Sequence, residues 1–101
     1  GKLHTHFKSN IIMTYYELSK LSLIEKVDIL KVIAYGFGVR VSKKTQLKTG
    51  HVTMIIKEKR RNDVVFDYIT RAVNEVLWHH LDNPKLTKLE LIEIENKVKV
   101  I

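Results

Sequence analysis

A chain of 101 residues and 11.8 kDa, 45% hydrophobic and 29% charged, has the size of one domain and excludes a multidomain enzyme. Four glycines and one proline place it far from collagen, flexible linkers and disordered chains. The longest wholly apolar run, residues 32–35, is four residues, where a bilayer span takes about 20, so no membrane partner is expected. The absence of cysteine removes thiol nucleophiles and Cys-based zinc sites and fits a reducing, intracellular setting, with a cytoplasmic location as the expectation.

The formal net charge is +7, and its distribution matters because phosphates and anionic surfaces respond to local field. The stretch from Arg40 to Arg61 holds Arg40, Lys43, Lys44, Lys48, Lys57, Lys59, Arg60 and Arg61 against Glu58 alone. Elsewhere ten basic residues balance ten acidic ones, so this stretch carries the whole excess.

Residues 1–12 show no apolar period and match neither a secretory signal nor a transit peptide. They read as a disordered or extraneous segment ahead of an alternative start at Met13, with a single domain over residues 13–101. Thr14 with Glu17, and Ser22 with Glu25, match the capping box, in which a hydroxyl and a carboxylate satisfy orphan amides at a helix start. A short helix and a longer one over 23–35 follow, the second ending at Gly36 in a left-handed cap. The longer helix is apolar on two sides, through Leu23, Val27, Leu30 and Ala34 and through Ile29, Val32 and Ile33. A helix of that kind needs cover on both, which makes a homodimer an expectation.

After Gly38 the period changes to two. Val39 and Val41 alternate with Arg40 and Ser42, and Val52, Met54 and Ile56 alternate with Thr53 and Ile55. With Lys48-Thr49-Gly50 as the turn, this predicts a β-hairpin. Asn62 or Asp63 caps a helix running to Leu81, and alternation after Leu86 predicts further β-structure, with a parity shift between Leu91 and Ile92 that fits a bulge or a short helix. The expected fold is α+β, ordered α-α-β-β-α-β-β, with an antiparallel sheet packed on helices.

On that hairpin the cations form an outward ribbon suited to a nucleic-acid backbone, DNA or RNA. The eight basic residues from Arg40 to Arg61 are the candidate contact set for a regulatory or accessory protein; a solvated edge guarded by lysines is the plainer alternative. Trp78 shares the polar stripe of the third helix with Asp67, Arg71 and Asn74, so it is expected to be exposed. Together with Arg71 it forms a candidate protein-partner interface, or a stacking platform for a base.

Catalytic readings are weaker. His79 and His80 are adjacent, so on a helix they diverge by about 100° and do not share a metal; either could serve a small ribonuclease. Glu95-Asn96-Lys97 is a Glu-x-Lys of the kind found in magnesium nucleases, but so short a pattern arises by chance in a lysine-rich chain. Gly36-Phe37-Gly38 lacks the residues of a nucleotide loop. No catalytic set, metal or cofactor is expected.

Overall fold

In the computed structural model, which describes residues 13–101, both hydroxyl–carboxylate pairs close at helix starts. The Glu17 amide donates to the Thr14 hydroxyl at 3.0 Å and the Thr14 amide to the Glu17 carboxylate at 2.8 Å, opening α1 (Tyr15–Ser19). Ser22 and Glu25 repeat the arrangement for α2 (Leu23–Ile33), and the Ser22 amide and hydroxyl hold the Glu25 carboxyl below its ordinary pKa. The helix stops short of Tyr35 because Ala34 leaves helical geometry. Gly36 does adopt a left-handed φ of 94°, but as the residue that launches the next helix. A Cβ there would also approach the Arg40 guanidinium to 3.1 Å. The disordered or extraneous segment expected over residues 1–12 lies outside the described residues.

From Phe37 onward the chain departs from the expected α+β architecture. The hairpin segments are two helices, α3 (Phe37–Thr45) and α4 (Thr49–Ile56). After α5 (Asp63–Asp82), the supposed C-terminal strands are one helix, α6 (Lys88–Lys97), and no strand occurs among the described residues. Two valines two apart fit a strand, but the interior selects residues four apart: Phe37 and Val41 are fully buried while Val39 is 51% exposed. In α4, Val52, Ile55 and Ile56 face inward at helical spacing, and Met54, expected on the inner strand face, is 38% exposed. The parity shift at Leu91 and Ile92 belongs to a helical period, since Leu91 and Glu95 are the buried pair of α6. A third capping box, Thr87 with Glu90, opens that helix. Nor does Gly50 make the chain reversal. It lies in the first turn of α4, and Gln46, with φ of 62°, turns the chain instead.

The long helix α5 is the axis of the molecule. Its N-cap, Asn62, accepts from the Val65 amide at 3.1 Å, and its flanks pack against α2, α4 and α6, while α3 bridges α2 and α4. Ile69, Ala72, Val73 and Val76 are wholly buried and join Leu30, Phe37, Val41 and Leu91 in one core. Each of the larger of these side chains contributes about 1.5–3 kcal/mol by leaving water. This packing fixes which side of α3 and α4 is left for solvent.

Candidate nucleic-acid interface

Between α3 and α4 lie three residues, Gln46, Leu47 and Lys48. The Ser42 hydroxyl donates to the Leu47 carbonyl and the Thr45 hydroxyl donates to the Val41 carbonyl at 2.7 Å, so α3's own side chains brace the corner. Val52 and Ile55, each 1% exposed, seat α4 in the core. Beyond α4 the Lys59 amide donates to the Met54 carbonyl at 2.8 Å and the Glu58 amide to the Ile55 carbonyl at 3.0 Å. This closure places Glu58 in the left-handed region, at φ of 59°. Two non-glycine residues in a glycine-favoured conformation therefore bracket α4.

The outer face of α4 carries Thr49, Gly50, Thr53, Met54 and Lys57, all exposed. A Cβ at Gly50 would meet nothing within 4 Å, so the glycine relieves no contact inside the protein; it keeps the surface low. Unlike α1, α2 and α6, this helix starts without a side-chain cap and with no acidic residue in its first turn.

The eight cations singled out by sequence divide into two sets. Arg40 is engaged internally: its Nε and Nη2 donate to the two carboxylate oxygens of Glu95 at 2.8 and 2.9 Å. Its Nη1 and Nη2 also donate to the carbonyls of Tyr35 and Ala34 at 2.6 and 2.8 Å, past the end of α2. Glu95 is 1% exposed, so this bidentate pair satisfies a buried carboxylate. Lys44 Nζ donates to the carbonyls of Asn96 and Val98 at 2.9 and 2.8 Å, at the C-terminus of α6, and sits 5.5 Å from the Tyr68 ring centroid. Burial and, after it, the Glu95 charge push the Tyr68 hydroxyl up to about 12. Arg61 is exposed and pairs with Asp63 at 3.1 Å, a hydrogen bond that raises its already high pKa.

Lys43, Lys48, Lys57, Lys59 and Arg60 form the other set. All five are exposed, and none forms an ion pair among the described residues. Lys48 and Lys57 stand at the two ends of α4. Lys59, Arg60 and Arg61, together with Glu58 and Asp63, line a groove of about 500 Å³ between the end of α4 and the start of α5, with Ile55 and Phe66 as its apolar wall.

Arg71 and Trp78 share a separate groove of about 400 Å³ with Lys97 and Val98, and Trp78 is 46% exposed. Arg71 pairs with Asp67 at 2.8 Å and donates to the Val100 carbonyl at 3.2 Å. The two histidines part as expected of neighbours on a helix: His79 Nδ1 lies 2.8 Å from the Glu75 carbonyl, while His80 is buried. Glu95, the carboxylate of the Glu-x-Lys pattern, has both oxygens on Arg40. Among the described residues no cluster of three metal-capable side chains occurs.

Sequence reasoning did not group Thr49, Gly50, Thr53 and Met54, because a hairpin puts Thr53 on the outward ribbon, Met54 on the inner face and Thr49 and Gly50 in the turn. The signal that finds them is the i, i+3, i+4 spacing of Val52, Ile55 and Ile56, which fixes their side of α4 as inner and the other as outer. The chain matches no protein-family model, no curated protein and no solved structure.

Proposed function

We propose that the chain binds nucleic acid through the phosphate backbone, using the corner formed by α3, α4 and the groove beyond it, as a regulatory or accessory protein. The supporting observation is the set of five exposed cations without carboxylate partners, Lys43, Lys48, Lys57, Lys59 and Arg60, beside an α4 face that bears no acidic side chain until Glu58. Ammonium and guanidinium groups so placed neutralise phosphates and release counterions. Arg40 and Lys44 act within the fold and hold α3 against α6. Fluorescence anisotropy with a labelled 20-base-pair duplex tests the reading. With all five cations on phosphates, log K falls against log salt with a slope of about −4 to −5. The triple variant Lys43→Glu, Lys57→Glu, Arg60→Glu loses binding while keeping its thermal transition. Full affinity in that variant overturns the proposal. A second reading, a protein partner seated on Trp78 and Arg71, draws on the half-exposed indole in its groove; it expects complex formation to be lost in Trp78→Ala and kept in the triple variant.

A further inference from the structure

Phosphate contacts alone do not choose between nucleic acids; the shape of α4 does. Resting on the phosphate-binding reading above, we infer that α4 enters the major groove of duplex DNA and sets Thr49, Gly50, Thr53 and Met54 against base edges.

The first argument is dimensional. An α-helix with its side chains is about 10–12 Å across and the major groove of B-form DNA about 12 Å wide, so α4 (Thr49–Ile56) can lie in it. Lys48 and Lys57, immediately before and after the helix, then flank the inserted segment, one cation at each end for the phosphates that border the groove. The second argument is the outer surface itself. Between those two lysines it is uncharged and low: two threonines, a glycine with open space around its Cβ position, and one methionine. Hydroxyls hydrogen-bond base edges, and threonine methyls and a thioether pack on thymine methyl groups. A surface meant only for phosphates has no use for an uncharged centre 38% of whose methionine is left in water. Third, α3, a three-residue turn and α4 follow one another, and Val52 and Ile55 seat α4 on the core with its outer face turned to solvent, an order in which a second helix can reach the groove while the first crosses the backbone. Duplex RNA is disfavoured by the same logic, because its major groove is deep and too narrow for a helix.

The test compares four equally charged probes by anisotropy: a mixed-sequence duplex DNA, the same duplex with glucosylated hydroxymethylcytosine filling the major groove, the corresponding RNA duplex, and polyglutamate. The unmodified duplex is expected to bind at least tenfold more tightly than the other three. Gly50→Leu adds bulk in open space and improves helix propensity, so the variant is expected to keep its melting temperature. It loses at least tenfold on unmodified DNA and leaves binding to the glucosylated duplex unchanged. Equal, salt-sensitive binding to all three nucleic acids overturns the groove inference and leaves phosphate binding standing. Binding to polyglutamate as tight as to DNA, or binding to none of the probes, overturns both.

Discussion

Arg40 and Lys57 belong to the same cationic stretch and have opposite fates. Arg40 turns inward, where Glu95 and two carbonyls past the end of α2 receive its donors; Lys57 ends α4 in water and forms no ion pair among the described residues. Lys44 and Lys43, adjacent on α3 and both exposed, divide by partner, one donating to the carbonyls of Asn96 and Val98 and the other forming no ion pair among the described residues. A charge surplus counted along a sequence is thus an upper limit on the charge a partner meets. The fold consumes cations wherever a buried carboxylate or a helix C-terminus must be satisfied, and only the remainder is a surface.

The largest effect that tests this division is on stability. Arg40→Ala strands the Glu95 carboxylate in the core and frees the carbonyls of Ala34 and Tyr35, so unfolding is expected to become easier by about 3–5 kcal/mol. Lys57→Ala, on the outer face, changes it by at most about 0.5 kcal/mol. Urea denaturation of both variants measures the difference. The double variant Arg40→Met, Glu95→Leu recovers most of the loss, because an apolar pair of similar volume replaces both charges. If Arg40→Ala is no more harmful than Lys57→Ala, the inward and outward sets are not distinct.

That same pair shows how much of the molecule could be read from residues alone. Capping boxes at Thr14 and Ser22, the Asn62 cap and the run of α5 were legible because each is a local signal, settled within one or two turns. The place of Trp78 on the polar stripe of α5 was legible for the same reason, and the structure leaves it 46% exposed. Over Val39–Val41 and Val52–Ile56 the local signals conflicted: β-branched residues in alternation suit a strand, and the helical period shows only when Phe37 is counted with Val41, or Val52 with Ile55 and Ile56. Tertiary burial broke the tie. The Thr87–Glu90 box was in the sequence and went unread, which cost α6. The clustering of cations was visible; their division was not, since Arg40 and Glu95 are joined only by the packing of α3 near α6.

An intermediate effect concerns the inner side again. His80 is 7% exposed, and neither ring nitrogen has a hydrogen-bond partner within the protein. Burial disfavours the imidazolium and lowers the His80 pKa from its ordinary 6.5. Because the folded value is the lower one, the unfolded chain binds the extra proton first. The stability associated with neutral His80 is therefore complete above pH 6.5 and is lost as pH falls through the lowered folded value. Where Arg40 meets its burial with partners, His80 does not, so His80→Leu is expected to stabilise the fold by about 1–3 kcal/mol and to flatten the acid side of the stability–pH curve. Chemical denaturation at pH 5 and pH 8 checks this. An unchanged acid slope in the variant assigns the pH dependence to another group.

The smallest effects belong to the two ends of α4. Gln46 and Glu58 hold φ near 60°, a conformation that costs a residue with a Cβ about 1–2 kcal/mol. Glycine removes that strain and returns about 0.5–1 kcal/mol through the greater freedom of the unfolded chain. Each of Gln46→Gly and Glu58→Gly is then expected to stabilise by about 0.5–1 kcal/mol, read as a rise in melting temperature. Their effects on binding differ. Gln46→Gly leaves every charge in place, so DNA affinity should not move. Glu58→Gly removes the one carboxylate between Arg40 and Arg61, beside Lys57 and Lys59, so it should tighten DNA binding and raise its salt sensitivity. Equal stabilisation with unequal binding would separate the backbone of the α4 corner from its field; tightening by both variants would mean that a stiffer corner, rather than a more positive one, governs the interaction.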